Sequence, residues 1–527
     1  MASRRPDASG FAAPGLPLAG RLLAAVAAVV LLAAGCAAGG DRAEHAGSEQ
    51  EDPRPRPEGE PDQLTVVDPA LVQDLGEQRT TENDPVRVEV SYPTVPNADP
   101  FTERLAEIAE QEVEDFAAAN PGAKGISISG ALTAAADDVV GVRFTQEEKD
   151  SEGPRAGYAT YWYDALSGRT AFSTELLAGQ AELAELNTTV REALKGDDDV
   201  APASLQPILR VYDSMGFNPA GDLVVEFDAG QVAPVKSGRI VAVVPREQAD
   251  PLLSDFGRRA QAAATVVETG FALAAPPAPD DIPAPEAVPG VIPASDDSVD
   301  CSKPESKCLA LTFDDGPGAR TAELLDVLRE NDVRATFFLT GGPIREYGPM
   351  VRREYAEGHE LANHTVHHPD LAAASAQQIA SELGAVNALI RRETGFRPVL
   401  MRPPYGSTSE GVRTVSGEHG LAEILWSVDT NDWKDRKAQI VADRAVKHAE
   451  PGAIILMHDI HSTTIDAVPD IIRRLREKGY TLVTVSQLLG ATEPGQSYRH
   501  AHPEEEAAAE ARGGATPSPD PSAAAGN

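Results

Sequence analysis

Five stretches in the C-terminal half of the chain carry residue types that could do chemistry together. Asp314 and Asp315 stand side by side where the apolar run 309–313 ends, and Gly316-Pro317 then turns the backbone. Neighbouring strand residues point to opposite faces, so the two carboxylates can share a task only if the strand stops there and the chain turns. His364 and His368 follow the run 359–362 and are four apart. One helical turn would aim both imidazoles at a single point, as metal ligands require. His367, between them, points elsewhere and reads as structural. Arg402 stands in the rigid turn Arg-Pro-Pro-Tyr405-Gly406 after 399–401. Asp429, Asp432 and Trp433 follow 423–428, and His458, Asp459 and His461 follow 453–457. Each alone fits a surface turn, a capping aspartate or a core histidine; their joint occurrence past successive runs does not.

The elements that must position them follow from periodicity. Short apolar runs at 309–313, 335–339, 359–362, 399–401, 423–428, 453–457 and 481–485 alternate with amphipathic stretches such as 321–329, 376–391 and 465–477. Strands alternating with helices imply βα units around a parallel sheet, most simply a distorted (β/α) barrel. In such a barrel catalytic groups gather at the C-terminal ends of the strands, where these residues fall.

The ordered set resembles the polysaccharide deacetylase family (NodB homology, carbohydrate esterase family 4) over 301–491, with all five family motifs present in order. The resemblance implies that Asp315, His364 and His368 hold a divalent metal, zinc first and Co, Ni or Mn as alternatives. It assigns Asp314 as general base, His458 as general acid, Arg402 as the residue holding the base and Asp432 as the one tuning the acid. It implies an oxyanion donor in the Tyr405 backbone N–H, and acetyl-pocket walls in Trp433 and Leu456. Elementary chemistry agrees with this division. A cation beside Asp314 favours its charged form, and a carboxylate beside His458 keeps the imidazole protonated.

The rest of the chain frames this domain. With 527 residues the prior is about three domains. A net charge of −36 argues against nucleic acid as a partner, because phosphate binding rewards basic patches. Arg4, Arg5 and Arg21 precede the apolar run 22–34, which is short for a membrane span and reads as an export signal. The run ends Leu32-Ala-Ala-Gly-Cys36, which resembles a bacterial lipobox with Cys36 lipidated; plain secretory cleavage and an uncleaved anchor are the alternatives. An exported chain whose other two cysteines, Cys301 and Cys308, lie close together suggests a disulfide; a zinc pair is the rival, though no further Cys or His is near.

Residues 1–36 therefore read as a signal peptide with lipobox, and 37–61, rich in Gly, Glu, Asp and Pro, as a disordered tether. A smaller α+β accessory domain is expected over 62–273. Val86, Val88, Val90 and Tyr92 alternate like a strand, Phe101, Leu105, Ile108 and Phe116 share a helical face, and 158–163, 223–227 and 240–244 read as strands. This region contains neither histidine nor cysteine, which removes the usual nucleophiles and metal ligands. Its segment 205–245 resembles the extracellular domain of lysozyme-sensing anti-sigma factors, which implies a wall-associated binding or spacing role and a possible protein ligand. A Pro-rich linker is expected at 274–300 and a disordered tail at 492–527.

The reading is an exported, lipid-anchored, metal-dependent hydrolase at the outer face of the cytoplasmic membrane. It would remove N-acetyl groups from cell-wall glycan, foremost peptidoglycan. The alternatives are another acetylated glycan (poly-N-acetylglucosamine, chitin oligomers, xylan), or a wall- or lysozyme-sensing binding protein with a non-catalytic barrel.

Overall fold

The computed structural model describes residues 54–502 apart from 84–85, 121, 152, 276, 278–286 and 297. The export segment, Cys36 and the chain beyond 502 lie outside the described residues. No helix among the described residues is long and apolar enough to cross a membrane.

The N-terminal region is α+β. Six strands lie in sequence order in one sheet: β1 (Gly76–Glu82), β2 (Arg87–Thr94), β3 (Gly125–Ala136), β4 (Val139–Lys149), β5 (Pro154–Asp164) and β6 (Arg169–Phe172). All neighbours are antiparallel except β2 and β3, which are parallel because the helix Asp99–Ala119 crosses between them. That helix buries Phe101, Leu105, Ile108 and Phe116, the face its periodicity predicts. A second, three-stranded meander follows: β7 (Ser214–Phe217), β8 (Leu223–Phe227) and β9 (Ile240–Val244).

The C-terminal region is α/β. Its strands are β10 (Cys308–Asp314), β11 (Thr336–Leu339), β12 (Glu360–Asn363), β13 (Leu400–Met401), β14 (Ala422–Ile424), β15 (Val428–Asp429), β16 (Ile454–His458), β17 (Thr481–Val483) and β18 (Ser497–Tyr498). They pair in parallel in the order β15-β16-β10-β11-β12-β13-β14-β18, with β17 beside the first half of β10. Burial on both faces explains their near-continuous apolar character.

One expected strand is two. The run 423–428 breaks into β14 and β15, which sit toward opposite ends of the strand order yet are joined by only residues 425–427. A sheet whose far ends are that close along the chain must be curled almost into a closed barrel. The break has a visible cause: the Arg402 guanidinium takes the carbonyls of Ile424 (3.0 Å) and Leu425 (3.3 Å). Those acceptors are satisfied inside the curl rather than in a ladder.

Three composition-based expectations also need correction. The end of the tether is pinned, since Val267 N donates to Pro55 O (2.7 Å) and Arg54 pairs with Asp137 and Glu268. The described part of the linker is pinned too, with Leu209 N on Gly290 O (3.0 Å) and Ile292 N on the Tyr355 hydroxyl (3.1 Å). The expected tail begins with a strand, β18, that covers the open edge of β14; Leu425 N donates to Tyr498 O at 2.7 Å. Composition reports polarity, whereas an unpaired strand edge recruits whatever backbone can reach it. The Cys301 and Cys308 sulfurs are bonded, with their Cα atoms 5.6 Å apart.

The two regions share a core. One apolar cluster runs from Trp162, Phe217 and Phe227 of the α+β region to Phe313, Phe337 and Leu389 of the barrel. Polar contacts cross the same seam, as Arg391 reaches Glu112 at 3.1 Å.

Candidate active site

The strand β10 brings Asp314 to its last position, and Asp315 then adopts φ 72°, a left-handed conformation that swings the second carboxylate round to the side of the first. This is the turn that two adjacent acids need to work in one place. Gly316 follows because nothing larger fits: a Cβ there would lie 2.2 Å from Asp459 Oδ1.

His364 and His368 converge as expected but not through a helical turn. The chain leaves β12 in a tight turn with Thr365 at φ 67° and His368 at φ 55°. Asn363 accepts from Thr365 N (2.9 Å), and Glu382 accepts from the amides of Val366 (2.8 Å) and His367 (2.9 Å) and from His367 Nδ1 (2.8 Å). Glu382 is presented by the helix Ala376–Thr394, which Ser375 and Gln378 cap reciprocally and Gly395, at φ 75°, closes. His367, held by Glu382, is the exposed one of the three histidines.

Asp315, His364 and His368 each offer one ligand atom, and these lie within 4.8 Å of one another. His364 Nε2 is 3.6 Å and His368 Nε2 3.5 Å from Asp315 Oδ1. The outer contacts select the tautomers. His364 Nδ1 lies 2.7 Å from Arg402 O, which can only accept, so the proton is on Nδ1 and Nε2 is bare. The Tyr405 hydroxyl donates to His368 O (3.2 Å) and therefore accepts from His368 Nδ1 (3.0 Å), with the same result. Burial, reinforced by His368, pushes the His364 imidazole down to about 3, so it is neutral. Two bare imidazole nitrogens and a carboxylate, oriented from outside, fit a divalent cation that favours mixed N/O ligands.

Asp314 is buried beside this group. Arg402 Nη1 donates to its Oδ1 (2.6 Å) and to Thr312 Oγ1 (2.9 Å), and the guanidinium, itself fully buried, lies 4.0 Å over the Phe338 ring. Burial raises the Asp314 carboxyl above the usual range, and the charges of Arg402 and His458 oppose that rise.

His458 ends β16 directly opposite Asp314 on β10. Adjacent strands are about 4.8 Å apart, so the two groups flank one small volume. His458 Nδ1 is bonded to Asp432 Oδ1 (2.8 Å), and Asp432 Oδ2 accepts from His458 N (2.8 Å) and Thr464 Oγ1 (2.6 Å). Burial alone would lower the imidazole; the Asp432 carboxylate outweighs it and, with Asp315 and Asp314, lifts His458 to about 10. Asp432 is held below its usual range despite burial, chiefly by His458. Leu456, two residues back on the same strand face, is buried, and Trp433 is half-buried beside Asp432. Tyr405 sits at φ 60° after two prolines, a left-handed non-glycine residue at the mouth of the site.

Asp314, Asp315, His364, His368, Arg402, Asp432 and His458 thus come to one end of the curled sheet. Sequence reasoning missed Glu382, Thr464 and the Tyr405 hydroxyl. The first two lie on helices with no local signature, and the third was noted only for its backbone. Asp459 is buried beneath Gly316, bonded to Thr321 Oγ1, and pushed by burial to about 7.

Comparison with known proteins places these observations. Residues 302–424 match the family model described as polysaccharide deacetylase. That span holds the Asp/His group, Asp314, Arg402 and Tyr405 but ends before Asp432 and His458. The chain is 41% identical over 186 residues to the peptidoglycan-N-acetylglucosamine deacetylase PgdA of Listeria monocytogenes, covering 35% of this chain and 39% of the relative. It is 40% identical over 186 residues to the peptidoglycan-N-acetylmuramic acid deacetylase PdaC of Bacillus subtilis, with the same two shares. It is also 40% identical over 186 residues to a peptidoglycan-N-acetylglucosamine deacetylase of Bacillus cereus, covering 33% of this chain and 68% of that one. The chain thus spans about two fifths of the length of the first two relatives.

Proposed function

Because the chain belongs to the polysaccharide deacetylase family, we propose that it is a metal-dependent hydrolase that removes N-acetyl groups from peptidoglycan. The observation that carries this reading is the pairing of Asp314 and His458 across adjacent strands beside the Asp315/His364/His368 group. A site that only held glycan would have no use for an acid and a base set so differently around a cation position.

The roles follow from the surroundings. Asp315, His364 and His368 would hold the cation, zinc foremost with Co, Ni or Mn as alternatives. A cation bound there would bring the pKa of water from about 15.7 to about 7 and polarise the acetyl carbonyl. Asp314, oriented by Arg402, takes the proton of the attacking water. His458, kept cationic by Asp432, gives its proton to the departing sugar amine, without which the amine could not leave. The Tyr405 backbone N–H faces the developing oxyanion, and Trp433 and Leu456 enclose the acetyl methyl. Arg402 and Asp432 act through Asp314 and His458 rather than on substrate.

The relatives act on peptidoglycan at either of two sugars, N-acetylglucosamine or N-acetylmuramic acid, which supports that polymer as substrate. The apolar run ahead of Cys36 supports a lipid-anchored enzyme facing the wall. The α+β region would serve it as a wall-facing accessory unit, open to a protein ligand. Mass spectrometry of muropeptides after incubation of purified peptidoglycan with the protein tests the activity. Loss of acetyl from one sugar is expected; unchanged muropeptides with turnover of chitin or xylan oligomers would move the substrate, and no turnover of any would end the reading. For the anchor, Cys36→Ser should abolish lipid labelling and release the protein from membranes; a variant still membrane-bound with a normal mature N-terminus would overturn it.

A further inference from the structure

Between the α+β region and the barrel lies a cavity of about 690 Å3 that the chemistry above does not use. Small-ligand sites fall in the range of roughly 300–1,000 Å3. Its two walls are oppositely charged: the barrel side carries four arginines against one glutamate, and the facing side six acids against three arginines. Part of that charge closes on itself. Arg391 spans the gap to Glu112 and Asp115, and Arg210 is shared between Asp213 and Asp228.

What is left over is specific. Arg352 is only 4% exposed, and its two Nη atoms serve Glu393 Oε2 (2.8 Å) and Gln231 O (2.8 Å), but its Nε has no hydrogen-bond partner among the described residues. On the opposite wall, Arg210 reaches Asp213 at Oδ2. Burial pushes the Asp213 carboxyl well above the usual carboxylate range, and that of Asp115 up to about 6. Burial disfavours the ionised form of these carboxyls, and an ammonium group placed beside them would restore it, as the Arg352 guanidinium would favour a carboxylate on the other wall.

The Arg345 end of the cavity is within reach of the metal-ligand loop. The helix Gly341–Glu346 begins with Gly341 N donating to Thr365 O (3.2 Å), next to His364, and Arg345 on the same helix lines the cavity. Four helical residues rise about 6 Å, whereas a four-residue peptide extends to about 13 Å.

We propose that this cavity is a subsite for the peptide stem of the glycan, a short zwitterionic peptide seated with a carboxylate at Arg352 and its side-chain ammonium at Asp213. The assignment rests on the peptidoglycan reading above, because only that wall glycan carries such stems.

The test is calorimetric titration of the full chain with a sugar-free stem, the N-acetylated tetrapeptide Ala-γ-Glu-diaminopimelyl-Ala. Saturable binding is expected. Arg352→Gln should weaken it at least about tenfold, as loss of a charged hydrogen bond does. Asp213→Asn, the milder second variant, should weaken the free-amine peptide but not one whose diaminopimelyl amine is acetylated. Near-UV circular dichroism reports whether each variant is folded. No saturable binding to the parent protein, or equal binding by both folded variants, overturns the subsite. Muropeptide analysis in parallel separates the two readings. Deacetylation without peptide binding removes the subsite and leaves the activity, whereas peptide binding without deacetylation leaves the subsite and removes the activity.

Discussion

Glu226 in the α+β region and Asp314 in the barrel are both buried carboxylates on central strands, both bonded to arginine, and they are kept in opposite conditions. Glu226 receives Arg143 through two bonds (2.6 and 2.8 Å), Arg239 (2.7 Å) and the Ser214 hydroxyl (2.9 Å). Burial would raise its carboxyl, and these partners overcome it and hold the group below its usual range. Asp314 has one arginine, and burial prevails. The first acid has spent its hydrogen-bonding capacity on the fold. The second keeps an oxygen, Oδ2, facing His364 at 3.7 Å and the space between the strands. Under-satisfied burial is what a proton-transfer group needs, and satisfied burial is what a structural one needs.

The sharpest way to break this contrast is at the adjacent pair in the barrel. Asp314→Asn should retain metal and lose about 10²–10⁴-fold in kcat/KM, a loss that added metal does not repair. Asp315→Asn should instead lower the metal content, with partial rescue by excess metal. Metal stoichiometry and kcat/KM measured together decide it, and the opposite pattern would exchange the two roles.

Glu226→Gln should do the reverse of Asp314→Asn. It leaves Arg143 and Arg239 facing a neutral amide, at a cost of about 3 kcal/mol in unfolding free energy, the lower end for a broken buried pair because both arginines reach water. Denaturant unfolding reads the loss. Metal content should not change, and a stable variant with impaired chemistry would erase the distinction between the regions.

Tyr405→Phe removes the hydroxyl that orients His368 without touching a ligand. Metal affinity should fall by about 10–100-fold, as for other outer-shell partners, measured by competition with a chelator. Unchanged affinity would mean that the turn alone aims His368.

The smallest effect is a displacement. His458 sits at about 10, well above its ordinary value, because Asp432 stabilises its cation. Its charged form gives up a proton as pH rises, so activity should decline on an alkaline limb set by this group. Asp432→Asn lowers that pKa, and the limb should move to lower pH by at least about one unit, near 1.4 kcal/mol of lost interaction. The sign carries over to stability: the pair's contribution is complete below the unfolded histidine value, near 6.5, and is lost as pH rises toward 10 in the parent protein. An unmoved limb would detach Asp432 from the acid.

Much of the site was legible because strand-end chemistry is local. A run such as 309–313 marks a strand by its apolar character, and the residue after it must stand at the strand's end whatever the strand pairs with. The runs 223–227 and 240–244 coincide with β8 and β9 for the same reason: alternation and β-branched content belong to the segment itself. Residue types at strand ends and the Asp314-Asp315 turn therefore follow from sequence alone, whereas His364 and His368 converge through a tight turn and not through the helical turn their spacing suggests.

Tertiary structure decided what depends on distant partners. The break of 423–428 comes from a guanidinium twenty-odd residues earlier that claims the carbonyls of Ile424 and Leu425. The tail strand exists because β14 leaves an edge to cover, and the linker around Gly290 and Ile292 is held because Gln180 and Tyr355 offer it partners. Glu382, fourteen residues past His368, reaches the ligand turn only because its helix folds back against β12. The shared core of the two regions and the charged cavity between them are likewise products of packing. Local propensity acts over a few residues, whereas burial and hydrogen-bond satisfaction are settled by whichever groups the completed fold brings together.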